Sequence, residues 1–181
     1  MKPLTVSAEE LMDILYEDIN KGTDFNLDAG YYLTDSTYAI PDLTHILTQV
    51  YNSFTQWLKF IGLDRKPGQK QFWHRKFDCE NLASLYKSYC DLLHYKTNPL
   101  SFEENFKANK KNKSDAEGLA VGTIWYDNST APNAKNLHAV NAVITQRPGT
   151  EKLSVVYIEP NNGAQLTLTK KQKESIWYAR F

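Results

Sequence analysis

Cysteine is scarce, long apolar runs are missing and neither sign of charge prevails, and each shortage removes a class of function. Only Cys79 and Cys90 occur in 181 residues. On one expected helix they stand about 16 Å apart along its axis, too far to bridge, so both are expected as free thiols. The apolar stretches are far too short to span a bilayer, and no membrane partner is expected. Lys and Arg balance Asp and Glu at 21 each, so no global field recruits nucleic acid or an anionic surface. The segment Met1-Lys2-Pro3-Leu4-Thr5-Val6 runs into an acidic helix without the apolar core of a signal peptide, which gives a cytoplasmic expectation. Glycine-rich phosphate loops, internal repeats and paired cysteine–histidine metal motifs are missing too.

What is present is organised around Phe77-Asp78-Cys79-Glu80-Asn81-Leu82-Ala83. Asp78 is a good N-cap, with an oxygen able to accept the Asn81 backbone N–H. Leu82, Ala83, Tyr86, Cys90 and Leu93 then continue an apolar face at helical spacing to about Tyr95. Cys79 stands on the first turn, where the helix dipole presents about half a unit of positive charge and favours a thiolate. It is either a candidate nucleophile or, like many cysteines on apolar helix faces, a small buried hydrophobe.

The length suits a single domain, 1–181, with a real core. Residues 1–62 read as a helical N-terminal part. Ser7-Ala8-Glu9-Glu10 is a capping box opening a helix to about Asn20, with Leu11, Ile14, Leu15 and Ile19 inward. Pro41-Asp42 starts the longest helix, to about Ile61, with Leu43, Ile46, Leu47, Val50, Phe54, Trp57, Leu58 and Ile61 on its inner face. Between them Asp24, Asn26, Asp28 and Asp35 have the spacing of an EF-hand calcium loop. Gly30, however, falls one position late for the sharp turn and the closing ligand is an aspartate, so tight calcium binding is not expected, no cofactor is assigned, and the stretch reads instead as a polar turn leading to a short aromatic strand. His45 has no second ligand at metal spacing. The basic run from Gly62 to Lys76 carries Arg65, Lys66, Lys70, Arg75 and Lys76 around Phe72, Trp73 and His74. Such a pattern serves single-stranded nucleic acid or an ordinary cleft wall, and no nucleic acid is expected here.

After a polar loop at Lys107 to Ser114, the apolar period falls to two. Leu119 to Tyr126, Leu137 to Thr145, Leu153 to Glu159, Ala164 to Leu168 and Ile176 to Phe181 read as strands. Helices followed by an antiparallel sheet make the expected fold class α+β. His138 and Glu159 interrupt these strands, and each would be costly if buried alone. Pro148-Gly149 suits a type II turn, and a hairpin centred there opposes Ile144 to Leu153 and His138 to Glu159. A direct His138–Glu159 hydrogen bond is therefore expected. The pair is either structural or, with Cys79, a base and orienting acid for a nucleophile.

The segments around Cys79, Leu137-His138-Ala139-Val140-Asn141 and Tyr157-Ile158-Glu159-Pro160-Asn161 resemble the catalytic segments of papain-like cysteine peptidases. More narrowly, they resemble the cysteine protease domain at the C-terminus of a fungal agglutinin and its small bacterial and phage relatives. The likeness covers about Phe77 to Phe181. It implies a papain-like catalytic core at 77–181, in which His138 takes the Cys79 proton, the thiolate attacks an amide carbonyl and Glu159 orients His138. Gln69 and Gln71 are the candidates for a second oxyanion donor. The implied function is a cysteine-dependent hydrolase, a peptidase with a peptide or protein substrate. Acyl transfer on the same triad and a non-catalytic binding module with a vestigial site are the alternatives. Tyr31, Tyr32, Trp73, Trp125 and Trp177 would suit such a binding surface, and equally a core.

Overall fold

The computed structural model describes residues 4–19, 30–63, 77–97, 118–129, 136–147 and 149–181. Strand β1 (Thr5–Ser7) leads directly into helix α1 (Ala8–Ile19). The expected capping box forms: Ser7 N–H donates to Glu10 Oε2 at 2.7 Å and Glu10 N–H to Ser7 Oγ at 3.1 Å. Leu11, Leu15 and Ile19 are buried, as their spacing requires. Strands β2 (Gly30–Tyr32) and β3 (Thr37–Ala39) follow. Asp42 then caps α2 (Leu43–His45), accepting the His45 N–H at 2.7 Å. This helix passes through a π-helical turn (Ile46–Val50) into α3 (Tyr51–Phe60), and Ile46, Val50 and Phe54 form its buried stripe.

Helix α4 (Cys79–Thr97) precedes the main strands: β4 (Gly118–Leu119), β5 (Val121–Asp127), β6 (Leu137–Gln146), β7 (Leu153–Ile158) and β8 (Gln165–Leu166). A capping box between Thr169 and Gln172 starts the short α5 (Lys170–Glu174), and β9 (Tyr178–Arg180) closes the chain. The larger sheet has the order β2-β9-β5-β6-β7-β8 and the smaller β1-β3-β4. Strand β6 is buried on both faces, which explains its nearly unbroken apolar run. Val140, Ala142 and Ile144 join the cluster shared with α1, whereas Val143 joins Phe54, Leu82 and Tyr86 on the other side. Its two buried polar residues are both tied down. Thr145 Oγ1 donates to Pro41 C=O at 2.9 Å, and Asn141 Nδ2 donates to Ala83 C=O at 2.8 Å.

The expected papain-like α+β layout is corrected by this architecture. Nine strands form two sheets among the described residues, in place of one antiparallel sheet behind a helical part at 1–62. Three strands arise from those first residues, and β2–β9 and β3–β4 pair in parallel. Each of the three is only three residues long, too short to display a period of two, and β2 and β3 are completed by partners distant in sequence. No helix among the described residues is long and apolar enough to cross a membrane.

Candidate functional site

Cys79 is the first residue of α4 and is partly exposed. The cap differs in detail from expectation. Asp78 Oδ1 accepts the Glu80 N–H at 3.2 Å, and the Asp78 N–H donates to Asn81 Oδ1 at 3.1 Å. The helix head is fixed to the sheet by Asn141, whose amide also donates to Gly122 C=O at 3.2 Å and so ties α4, β5 and β6 together.

The β6–β7 hairpin runs two residues out of the expected register, pairing Ile144 with Val155 and Asn141 with Ile158. Gln146 and Leu153 form the last pair, and the link beyond them is longer than a two-residue turn. Arg147 N–H donates to Lys152 C=O at 2.9 Å and Thr150 N–H to Arg147 C=O at 3.1 Å. Gly149 takes φ +74, while Pro148 lies outside the described residues. A slip of two preserves the alternation of faces, so His138 and Glu159 still meet, as diagonal neighbours beyond the end of the ladder. His138 Nε2 lies 2.7 Å from Glu159 Oε2, with the side chains 20% and 14% exposed. The other carboxylate oxygen accepts from Asn161, at 2.6 Å from the amide and 3.2 Å from the backbone N–H.

Cys79 stands near enough to His138 to act on its ionisation. The neighbouring Cys79 and then the bond to Glu159, opposed by burial, raise the imidazole to about 9, so it is an imidazolium at neutral pH. Burial pushes Glu159 upward, but the hydrogen bond and charge of His138 and the bonds from Asn161 outweigh it and hold the carboxyl below its ordinary value. Tyr126 walls the site, its ring 5.8 Å from the imidazole and edge-on. Its hydroxyl is raised to about 12 by burial and by the charges of Glu159 and Cys79. Cys90 lies deep in the core, and burial followed by the nearby Asp91 charge lifts its thiol to about 12.

Asn141, Asn161 and Tyr126 have no role assigned from sequence. An asparagine two residues after a carboxylate is a recurrent local partner, and that signal points to Asn161. The loop carrying Glu159 closes when its C=O accepts the Gly163 N–H at 2.8 Å and its N–H reaches Ala164 C=O at 2.9 Å. Gly163 has φ +71, and a Cβ there would stand 2.7 Å from the Tyr51 ring. Gly163→Ala is expected to destabilise by about 1–3 kcal/mol through backbone strain and overlap. Urea unfolding checks this, and an unchanged midpoint would show that the loop does not depend on the glycine.

Asp24, Asn26 and Asp28 of the calcium-loop spacing lie outside the described residues, as do Gln69, Gln71, residues 107–114 and the basic run from Arg65 to Lys76. Asp35 accepts a hydrogen bond from Thr34 Oγ1 at 3.1 Å. Among the described residues no group of three His, Cys, Asp or Glu could hold a metal ion.

No protein-family model and no curated protein matches the chain. Among solved structures, it is similar to the complex described as PSL1a with E64, at 16% identity and a TM-score of 0.59, over 98% of this chain and 51% of that one. It is also similar to Polyporus squamosus lectin bound to the human-type influenza-binding epitope Neu5Acα2-6Galβ1-4GlcNAc. There the identity is 17% and the TM-score 0.58, over 98% of this chain and 50% of that one. The chain thus spans about half the length of these structures, and the likeness is one of fold. These findings correct the resemblance drawn from the sequence: one description names a lectin and an oligosaccharide, and neither names a papain-like peptidase. The reading as an enzyme, a cysteine-dependent hydrolase with a peptide or protein substrate, is corrected on the same finding.

Proposed function

We propose that the chain is a non-catalytic binding module, and that Cys79, His138 and Glu159 form its ligand-contacting centre. One observation carries the reading: the His138–Glu159 pair, 2.7 Å apart, holds an imidazole near the partly exposed Cys79 at the head of α4. The positive end of a helix dipole beside a donor imidazole is a preformed seat for an anionic group. A sialylated oligosaccharide offers such a group in its carboxylate, and the lectin of similar fold is described with one bound. Glu159 and Asn161 keep the ring oriented, so that little ordering remains to be done on binding.

The test is calorimetric titration of the full chain with Neu5Acα2-6Galβ1-4GlcNAc and with the neutral Galβ1-4GlcNAc. The acidic trisaccharide is expected to bind saturably and the neutral disaccharide at least about tenfold more weakly, with His138→Gln removing the difference. Equal binding of the two, no binding of either, or repeated turnover of a peptide substrate by the chain would overturn the reading.

A further inference from the structure

A polar cavity of about 220 Å3 opens between α4 and the β5–β9 part of the large sheet. Ser84, Lys87, Ser88 and Asp91 face it from one side of α4, at spacings of three and four residues that share a helix face. Thr123 and Arg180, paired across β5 and β9, face it from the sheet. Thr123 is only 2% exposed, yet its Oγ1 is buried without a hydrogen-bond partner. Its other cross-strand neighbour, Asn141, likewise leaves Oδ1 without one. Buried polar atoms are rarely left so, and an orphan hydroxyl on a cavity wall marks a place where a polar group enters.

The charges say which kind of group. Lys87 Nζ is held by Asp91 at 2.8 Å, both partly buried, so this pair contributes little net field. Arg180 has no ion pair among the described residues and stands exposed at the mouth. A guanidinium fork recognises a carboxylate through two parallel bonds. The hydroxyls of Ser84, Ser88 and Thr123 can each donate and accept, which suits a ligand that is itself rich in hydroxyls. The volume lies below the roughly 300–1,000 Å3 of sites for drug-sized ligands, which limits the occupant to about one sugar ring.

We propose that this cavity binds a small hydroxylated carboxylate of monosaccharide size, with Arg180 on the carboxylate and Thr123 on a ligand hydroxyl. The site shares no residue with the Cys79 centre. D-glucuronate, titrated into the full chain and followed by backbone amide shifts, is the probe. Saturable shifts at Thr123 and Ser88 are expected, with D-glucose at least about tenfold weaker. Thr123→Val, nearly isosteric, and Arg180→Gln are each expected to weaken glucuronate about tenfold, while Cys79→Ala and His138→Gln leave it unchanged. No saturable binding, equal affinity for glucose, or binding that survives both Thr123→Val and Arg180→Gln would rule the proposal out. Loss of glucuronate binding in His138→Gln would do so as well, by returning the ligand to the first site.

Discussion

Asn141→Ala is expected to lower the unfolding free energy by about 3 kcal/mol, and Asn141→Asp by about 4 kcal/mol or more. Asn141 is fully buried and donates both amide hydrogens, to Ala83 C=O and Gly122 C=O. Only an NH2 group can serve two carbonyls, so the amide orientation follows from its partners. Alanine removes both bonds, each at about 1 kcal/mol, and leaves a small cavity between α4 and the sheet, partly offset because the unpartnered Oδ1 goes with the amide. Aspartate keeps the shape but replaces the donor by an acceptor facing two carbonyls, which must be buried either charged or neutralised. The effect should reach the site. Ala83 lies near the start of α4, so loosening it moves Cys79 away from His138. Chemical denaturation gives the first quantity and the imidazole titration midpoint the second. An Asn141→Ala protein within about 1 kcal/mol of the parent would show that the apolar contacts of α4 hold its head without the asparagine.

The parts of this arrangement that are legible in sequence are those set by local chemistry. Ser7 and Glu10 announce their helix start, Asp78 places Cys79 on a first turn, and the alternation around His138 and Glu159 puts them on or at the end of strands. The hairpin register is not legible, because Pro148-Gly149 fits a tight turn while the chain uses a longer link closed by Arg147 and Lys152. The contact survives since a slip of two residues conserves faces, whereas a slip of one would part the side chains. Strand β2 is legible only as a short aromatic strand after a polar turn, and β3 is not legible at all. Their pairing with β9 and β4 is long-range, and Tyr38 is buried by partners that no local window contains. The polar cavity is equally hidden, since its wall joins one face of α4 to Thr123 and Arg180, which only the sheet order brings side by side.

Raising the pH from about 6.5 to above 9 is expected to remove about 3 kcal/mol of stability that depends on His138, an amount set by its displacement from the ordinary imidazole value. The folded protein holds the proton more tightly than the unfolded chain. The contribution is therefore complete below about 6.5 and disappears as the pH rises through about 9. Glu159 acts in the opposite sense. Its carboxyl is held below the ordinary value, so its contribution is present above the unfolded carboxylate range and fades only as acid protonates it. Between these limits both charges stand and the pair is intact, with side chains only 20% and 14% exposed and so weakly screened. Urea unfolding at intervals from pH 5 to 10 gives the parent curve, and His138→Gln should lack the alkaline decline between about 6.5 and 9. Cys79→Ala removes the first cause of the shift while Glu159 remains, so the imidazole midpoint should fall below about 9 yet stay above the ordinary histidine value. Glu159→Gln should lower it as well, and the double variant should bring it to the ordinary value or below, because burial alone then acts. Parent and His138→Gln curves that run parallel across the alkaline range, or a midpoint unmoved by Cys79→Ala, would show that the thiol, imidazole and carboxylate are neighbours without being electrostatically coupled.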